Sequence, residues 1–184
     1  MAKVIVGMTI SLDGFVADKN GNAGRLYPDL AALRHTLTGR KLSSRLGQSS
    51  WGEGRFDMGD PDSYVGNYEF QVPIFVLTHH PPSVAAKQDE HLTFTFVADA
   101  VESAVAQAKA GVRDKAVQVV GGVSIAQQLL DAGLVDELHV DIMPVFLGIG
   151  LGSFESSSFE RVRLETISVQ EVGARTGLGF CVKQ

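Results

Sequence analysis

Apolar residues recur along this chain with two spacings. Unbroken β-branched runs are typical of buried parallel strands, whereas apolar residues at every third or fourth position are typical of helices that pack on a sheet. The first pattern predicts strands over residues 3–10, 73–78, 116–120 and about 135–143, and the alternating run LTFTFV predicts another over residues 92–97. The second predicts a helix opened by Pro28, a helix over residues 100–110 capped by Asp99, and a helix over residues 124–132 that ends at Gly133.

The end of the chain follows a third pattern, in which apolar and polar residues alternate. Residues 161–171 and 176–183 alternate in this way and predict an antiparallel hairpin across the turn VGARTG. Strands alternate with helices only as far as about residue 143. We therefore expect one α/β domain over residues 1–184, with a mixed, mostly parallel sheet, helices on both of its faces and the hairpin at one end. The open edge of that hairpin predicts a homodimer.

Composition limits the partners. The net charge is -5 and the chain has no dense run of Lys and Arg, so we expect no nucleic-acid partner. No segment reaches the ~18 consecutive apolar residues of a membrane helix. The single cysteine, Cys181, has no partner within the chain, and the first residues lack the pattern of a signal peptide, which indicates a cytoplasmic protein. No His or Cys spacing predicts a metal site.

Candidate chemistry begins at two glycines in VVGGVSIAQQLL, residues 119–130, where a strand stops and a helix starts. The first turn of a helix presents unpaired N–H groups and a partial positive charge to an anion. Gly121 and Gly122 leave that backbone uncovered. Ser124 either caps the helix or donates to a phosphate oxygen. The same letters also fit an ordinary turn, because they do not form the G-x-G-x-x-G fingerprint.

Ligands of mostly parallel sheets bind outside the carboxyl ends of the strands. Four predicted loops lie there, at residues 11–24, 78–80, 121–122 and 148–152. We therefore expect a small-molecule site at this edge of the sheet.

Four motifs occur in a specific order: VGMTISLDGFVAD, FDMGDPD, YEFQVPIFVLTHHPP and VVGGVSIAQQLLDAGLVDELHVDIMPVFLGIGLGSFE. Together they resemble a bacterial dihydrofolate-reductase-like family that is related to the reductase domain of bifunctional riboflavin biosynthesis proteins. The resemblance covers nearly the whole chain except about residues 35–52. It implies a dihydrofolate-reductase-like three-layer fold, NADPH as hydride donor and a small heterocyclic or carbonyl substrate.

The resemblance also implies roles for individual residues. The pyrophosphate would lie on Gly121, Gly122, Val123 and Ser124. The adenosine ribose and its phosphate would lie near Thr78 and His79, and near a turn that contains Gly52 and Arg55. A surface ion pair is the alternative for Arg55. The element S-x-D-G, here Ser11, Asp13 and Gly14, would flank nicotinamide and substrate, and Gly148 would belong to a loop that closes over them.

Asp13 is the only ionisable residue of the S-x-D-G element. A reductase must deliver a proton as well as a hydride, and we therefore name Asp13 as the residue that orients the substrate or relays that proton. The alternative is that its carboxylate caps the tight turn at Gly14.

Residues 38–51, TGRKLSSRLGQSSW, do not fit the family pattern, which has a buried strand such as GAVVMG at this position. Gln and Ser are poor material for a central strand. The bases GGG GCA GTC GTC ATG GGG encode GAVVMG and, read one base later, encode GQSSW. We interpret these residues as a shifted reading frame that is restored before Glu53, with local divergence as the alternative. Either origin predicts lowered stability and weakened cofactor binding.

The predicted function is that of an NADPH-dependent reductase similar to 5-amino-6-(5-phosphoribosylamino)uracil reductase. The chain lacks the H-x-E…P-C-x-x-C zinc signature of a deaminase. One alternative is a non-catalytic binding module that retains the fold. The other is dihydrofolate reduction, for which no helix carboxylate can be placed.

Overall fold

The computed structural model describes residues 2–28, 46–52, 61–68, 71–84, 86–112, 115–120, 122–154 and 157–183. The strands in these residues are β1 Val4–Ser11, β2 Phe15–Asp18, β3 Leu46–Gly52, β4 Ile74–Leu77, β5 Phe94–Val97, β6 Ala116–Val119, β7 Glu137–Met143, β8 Gly150–Gly152, β9 Arg163–Val172 and β10 Arg175–Lys183. The α-helices in these residues are α1 Val101–Gly111 and α2 Val123–Asp131, and short 3-10 helices span Gly24–Leu26, Pro61–Ser63 and Ser157–Arg161. Within the ranges given, no helix is long and apolar enough to cross a membrane.

Eight strands form one sheet in the order β5-β4-β3-β6-β1-β7-β10-β9. The first six run parallel to one another, and β10 pairs antiparallel with both β7 and β9. This arrangement confirms the predicted mixed, mostly parallel sheet with an antiparallel hairpin at one end.

The main core lies between one face of the sheet and both described helices. Alternate residues of the central strands, such as Val4 and Val6 of β1 and Leu138 of β7, pack against Leu129 of α2 and its neighbours. Their side chains are almost fully buried. The helix predicted from Pro28, which would cover the opposite face, falls on residues that the structure does not describe.

The predicted start of α1 was wrong by one residue. The N-cap is Ala100, which is extended at φ -68° and ψ 159° and makes no side-chain capping bond. Its carbonyl already accepts the amide of Ser103 at 3.0 Å, so Asp99 lies outside the helix. Burial of Val101 and Ala104 against the sheet therefore sets this helix start, without a capping side chain.

The small antiparallel pair of β2 and β8 was not predicted. Its two strands have four and three residues, too few for an alternating pattern to be visible. The two backbones approach closely, because a Cβ at Gly150 would overlap the carbonyl oxygen of Ala17. This pair fixes the loop after β7 to the loop after β1.

The polar segment that interrupts the family pattern is a strand in the centre of the sheet. β3 lies between β4 and β6 and runs parallel to both, with Ser49 opposite Ile74 and Gln118, and Ser50 opposite Phe75 and Val119. The backbone thus occupies the expected position although its residues are poor strand formers. The preceding part of the proposed frame-shifted segment, residues 38–45, lies outside the described residues.

Restoring an apolar β3 should stabilise the fold. We expect the variant Gln48→Ala, Ser49→Val, Ser50→Val, Trp51→Met to raise the free energy of unfolding by ~1–3 kcal/mol for each polar side chain otherwise left without a partner. Urea denaturation measures this change. Thr166→Val, on the exposed edge strand β9, is the control and should change little. An unfolding midpoint that the β3 variant leaves in place would contradict the prediction.

Candidate functional site

The sheet topology places the predicted site residues in a row. Thr78 follows β4, Gly52 ends β3, Gly122 follows β6, Ser11 ends β1 and Gly148 follows β7. These strands are consecutive neighbours, β4-β3-β6-β1-β7, and all point the same way. With a strand spacing of about 4.8 Å, the row is about 19 Å long. An edge of this shape suits an elongated ligand.

The glycine corner after β6 is an uncovered helix end. Gly122 is the N-cap of α2 at φ -60° and ψ 154°, with no side-chain capping bond. Apart from its chain neighbours, no atom of the described residues lies within 4 Å of the place where its Cβ would be. Within the described residues the amides of Val123 and Ser124 donate to no protein acceptor. The predicted corner is therefore an uncovered helix start, and its binding of a pyrophosphate stays a prediction.

Ser124 lies inside the first turn of α2 and does not cap it. Its hydroxyl accepts a hydrogen bond from Gln128 Nε2 at 3.1 Å, and its side chain is exposed. The other predicted partner in this corner, Gly121, lies outside the described residues, as does Arg55. Gly52 is described by its backbone alone.

At the carboxyl end of β4, Thr78 is buried and His79 is exposed. The amide of Thr78 donates to Val97 O at 3.1 Å, and its hydroxyl accepts the amide of His80 at 3.0 Å. Thr78 thus turns the chain sharply at the edge, and the His79 side chain remains available to a ligand.

The carboxylate of Asp13 joins two loops. It accepts Ser11 Oγ at 2.5 Å on Oδ1 and Gly148 N at 2.7 Å on Oδ2. Leu147 N lies 3.1 Å and 3.2 Å from the two oxygens. The Ser11 hydroxyl, itself fully buried, also accepts the amide of Phe15 at 2.9 Å. Asp13 is therefore held by its own turn and binds the loop after β7.

These hydrogen bonds lower the pKa of Asp13 from 3.8 to about 2. The largest cause is the bond from Ser11, and the amides of Gly148 and Leu147 add to it against the opposing effect of desolvation. The carboxyl is consequently ionised at neutral pH. The turn at Gly14 is closed by Ser11, whose carbonyl accepts the amide of Gly14 at 3.0 Å and whose hydroxyl accepts the amide of Phe15. The Asp13 carboxylate supports this turn through the Ser11 hydroxyl and reaches residues 147–148 at the neighbouring strand end.

Ser153, which is not among the predicted site residues, forms a second link between the loop after β1 and the loop after β7. Its amide and hydroxyl both donate to Gly14 O, at 3.1 Å and 2.9 Å, and it is buried. Gly14 and Gly148 have φ values of 86° and 76°, which favour glycine. The sequence does not indicate this link to Gly14, because a serine in a glycine-rich loop is equally typical of an ordinary turn.

Arg175 also lies near the predicted site residues, although its sequence context does not predict this. It begins β10 at the same edge of the sheet and is buried. Its guanidinium donates to Thr9 Oγ1 at 3.1 Å and to Leu26 O at 2.9 Å, and its Cζ lies 5.3 Å from the ring centre of Tyr27. It thus ties the last strand to the first strand and to the loop before the undescribed segment at 29–45.

A cavity of about 400 Å³ opens beside Gly148. The loop after β2 lines one side of it with Lys19 and Arg25, and Leu147 and Ile149 line the other. Asp18 and Asn20 line the cavity as well, so its walls combine charges of both signs with apolar surface. The bonds of Asp13 hold one of these walls in place.

Comparisons with known proteins agree with this architecture. The family model of the RibD C-terminal domain matches residues 2–178. No protein with a curated functional description is similar enough in sequence to match.

Several solved structures have the same fold. A candidate riboflavin biosynthesis protein from Shewanella sp. PV-4 is 24% identical over the whole of both chains, with a TM-score of 0.75. The riboflavin biosynthesis reductase Rib7 of Saccharomyces cerevisiae is 17% identical, with 100% of this chain and 89% of that chain covered and a TM-score of 0.62. Dihydrofolate reductase from Enterococcus faecalis, solved with NADP(H), is 14% identical over 99% and 97% of the chains, with a TM-score of 0.60. At these identities the likeness shows the fold, which is dihydrofolate-reductase-like as predicted.

The lowered pKa of Asp13 predicts how stability depends on pH. Because the pKa is lower in the folded chain, ionised Asp13 stabilises the fold above the unfolded value of 3.8 and loses this effect as the pH falls through about 2. We expect Asp13→Asn to be less stable than the wild type at pH 7, with the difference vanishing towards pH 2. Urea denaturation between these pH values measures it. Parallel stability curves for the two proteins would contradict the assignment.

Proposed function

The chain belongs to the RibD C-terminal domain family, and on that premise we propose that it is an NADPH-dependent reductase of a small heterocyclic substrate. The observation that carries the proposal is the uncovered amino end of α2 at Gly122, one strand away from the loops that Asp13 joins. A dinucleotide bound along this edge would place its pyrophosphate on α2 and its reactive end beside β1.

The residues present fit such a cofactor. Gly122 leaves open the space that a side chain would fill, and the amides of Val123 and Ser124, which bond to no acceptor within the described residues, would supply donors to a pyrophosphate. His79 and Arg55 are the candidates for the ribose and phosphate at the adenosine end. When bound, NADPH supplies a hydride from its nicotinamide ring.

The remaining work of the protein is alignment and exclusion of water. The loop after β1 and the loop after β7 form the wall beside the nicotinamide position. Because Asp13 and Ser153 join them at two points, that wall keeps one shape. The resemblance of the S-x-D-G element to that of riboflavin-pathway reductases supports a ribosylamino-pyrimidine as substrate.

One alternative has a specific observation in its favour. The polar residues of β3 lie in the centre of the sheet, next to the strand that leads to Gly122. If β3 displaced the glycine corner at Gly122, the chain would keep its fold and bind the cofactor weakly. Direct binding measurements separate the two functions.

Calorimetry with NADPH tests the proposal. We expect Gly122→Val to weaken binding at least about tenfold, ~1.4 kcal/mol, because the new side chain fills the space for the anion and its Cβ clashes with none of the described residues. Ala100→Val, at the matching cap position of α1, is the control and should bind normally. Absence of heat from the wild type with both NADPH and NADP⁺ would refute the function and favour the non-catalytic module.

A further inference from the structure

The Asp13 carboxylate is fully engaged by protein donors. Oδ1 accepts the Ser11 hydroxyl and Oδ2 accepts the amide of Gly148, while Leu147 N lies within bonding distance of both oxygens. A group that relays a proton must release such partners in every cycle. The Ser11 hydroxyl cannot easily turn away, because it also accepts the amide of Phe15.

We infer that Asp13 is a positioning residue that fixes the loop after β7 as one wall of the substrate cleft, and that it is not the proton donor. The inference rests on the proposed function. A bound cofactor would supply the hydride to a substrate carbon and would itself be left oxidised, and the matching proton would come from solvent water, leaving hydroxide.

The lowered pKa of Asp13 agrees with the geometry, because an acid with a pKa of about 2 holds almost no proton at neutral pH. The position of the loop matters because Leu147 and Gly148, whose amides Asp13 binds, also line the cavity that contains Lys19 and Arg25. Releasing these amides would move a wall of the cavity, whereas the second link, at Ser153, would still hold the loop at its other end.

Kinetics of Asp13→Asn test the inference. The asparagine can accept on one atom only, so the loop loses part of its attachment. We expect KM for the substrate to rise about tenfold and kcat to change less than about threefold. Loss of a general acid would instead lower kcat by ~10²–10⁴ and remove a limb of the pH profile. That second result would overturn the inference.

Amide hydrogen exchange in the free protein gives a readout that does not depend on activity. We expect the amides of Leu147 and Gly148 to exchange at least about tenfold faster in Asp13→Asn, since the two amides then share one accepting oxygen and face an NH2 group in place of the other. The control is Asp89→Asn, a loop carboxylate at the opposite edge of the sheet that accepts the amides of His91 and Leu92. Unchanged exchange at Leu147 and Gly148 would overturn the inference. A wild type that reduces nothing would refute the proposed function, and exchange would still decide the anchoring.

Discussion

The site depends on the parallel pairing of β1 with β6 on one side and β7 on the other. This pairing puts three chain segments that are far apart in sequence at neighbouring strand ends: the glycine corner, the S-x-D-G element and the loop that contains Gly148. None of these segments could form a binding surface alone. The apolar contacts of β1 with the helices hold the three strands in register, and the register fixes the distances within the site.

The same pairing explains why a short loop can be rigid. The segment after β7 is rich in glycine, which by itself favours many conformations. Two hydrogen-bonded links, Gly148 to Asp13 and Ser153 to Gly14, tie this segment to the loop after β1. The pairing of β8 with β2 adds a third attachment. The loop after β7 is therefore ordered although it is rich in glycine, because the restraint comes from another part of the chain.

The sequence predicted the sheet well and the site in part. Strands β1, β4, β6 and β7 were recognisable because buried parallel strands are continuously apolar, and the hairpin because it alternates. The glycine corner was recognisable from its order of strand, glycine and helix. The contacts of Asp13 with residues 147–148 were not, because nothing local indicates which loop a carboxylate will reach. Only the family resemblance predicted a strand at the position of β3, since its Gln and Ser residues are poor strand formers.

Arg175 gives the architecture a consequence for the order in which its parts become fixed. Its guanidinium bridges the first strand and the loop at Leu26, across sequence separations of 166 residues to Thr9 and 149 residues to Leu26. Contacts this distant in sequence carry a large loop-closure entropy. The loop at Leu26 is therefore held in place only after β10 has joined the sheet.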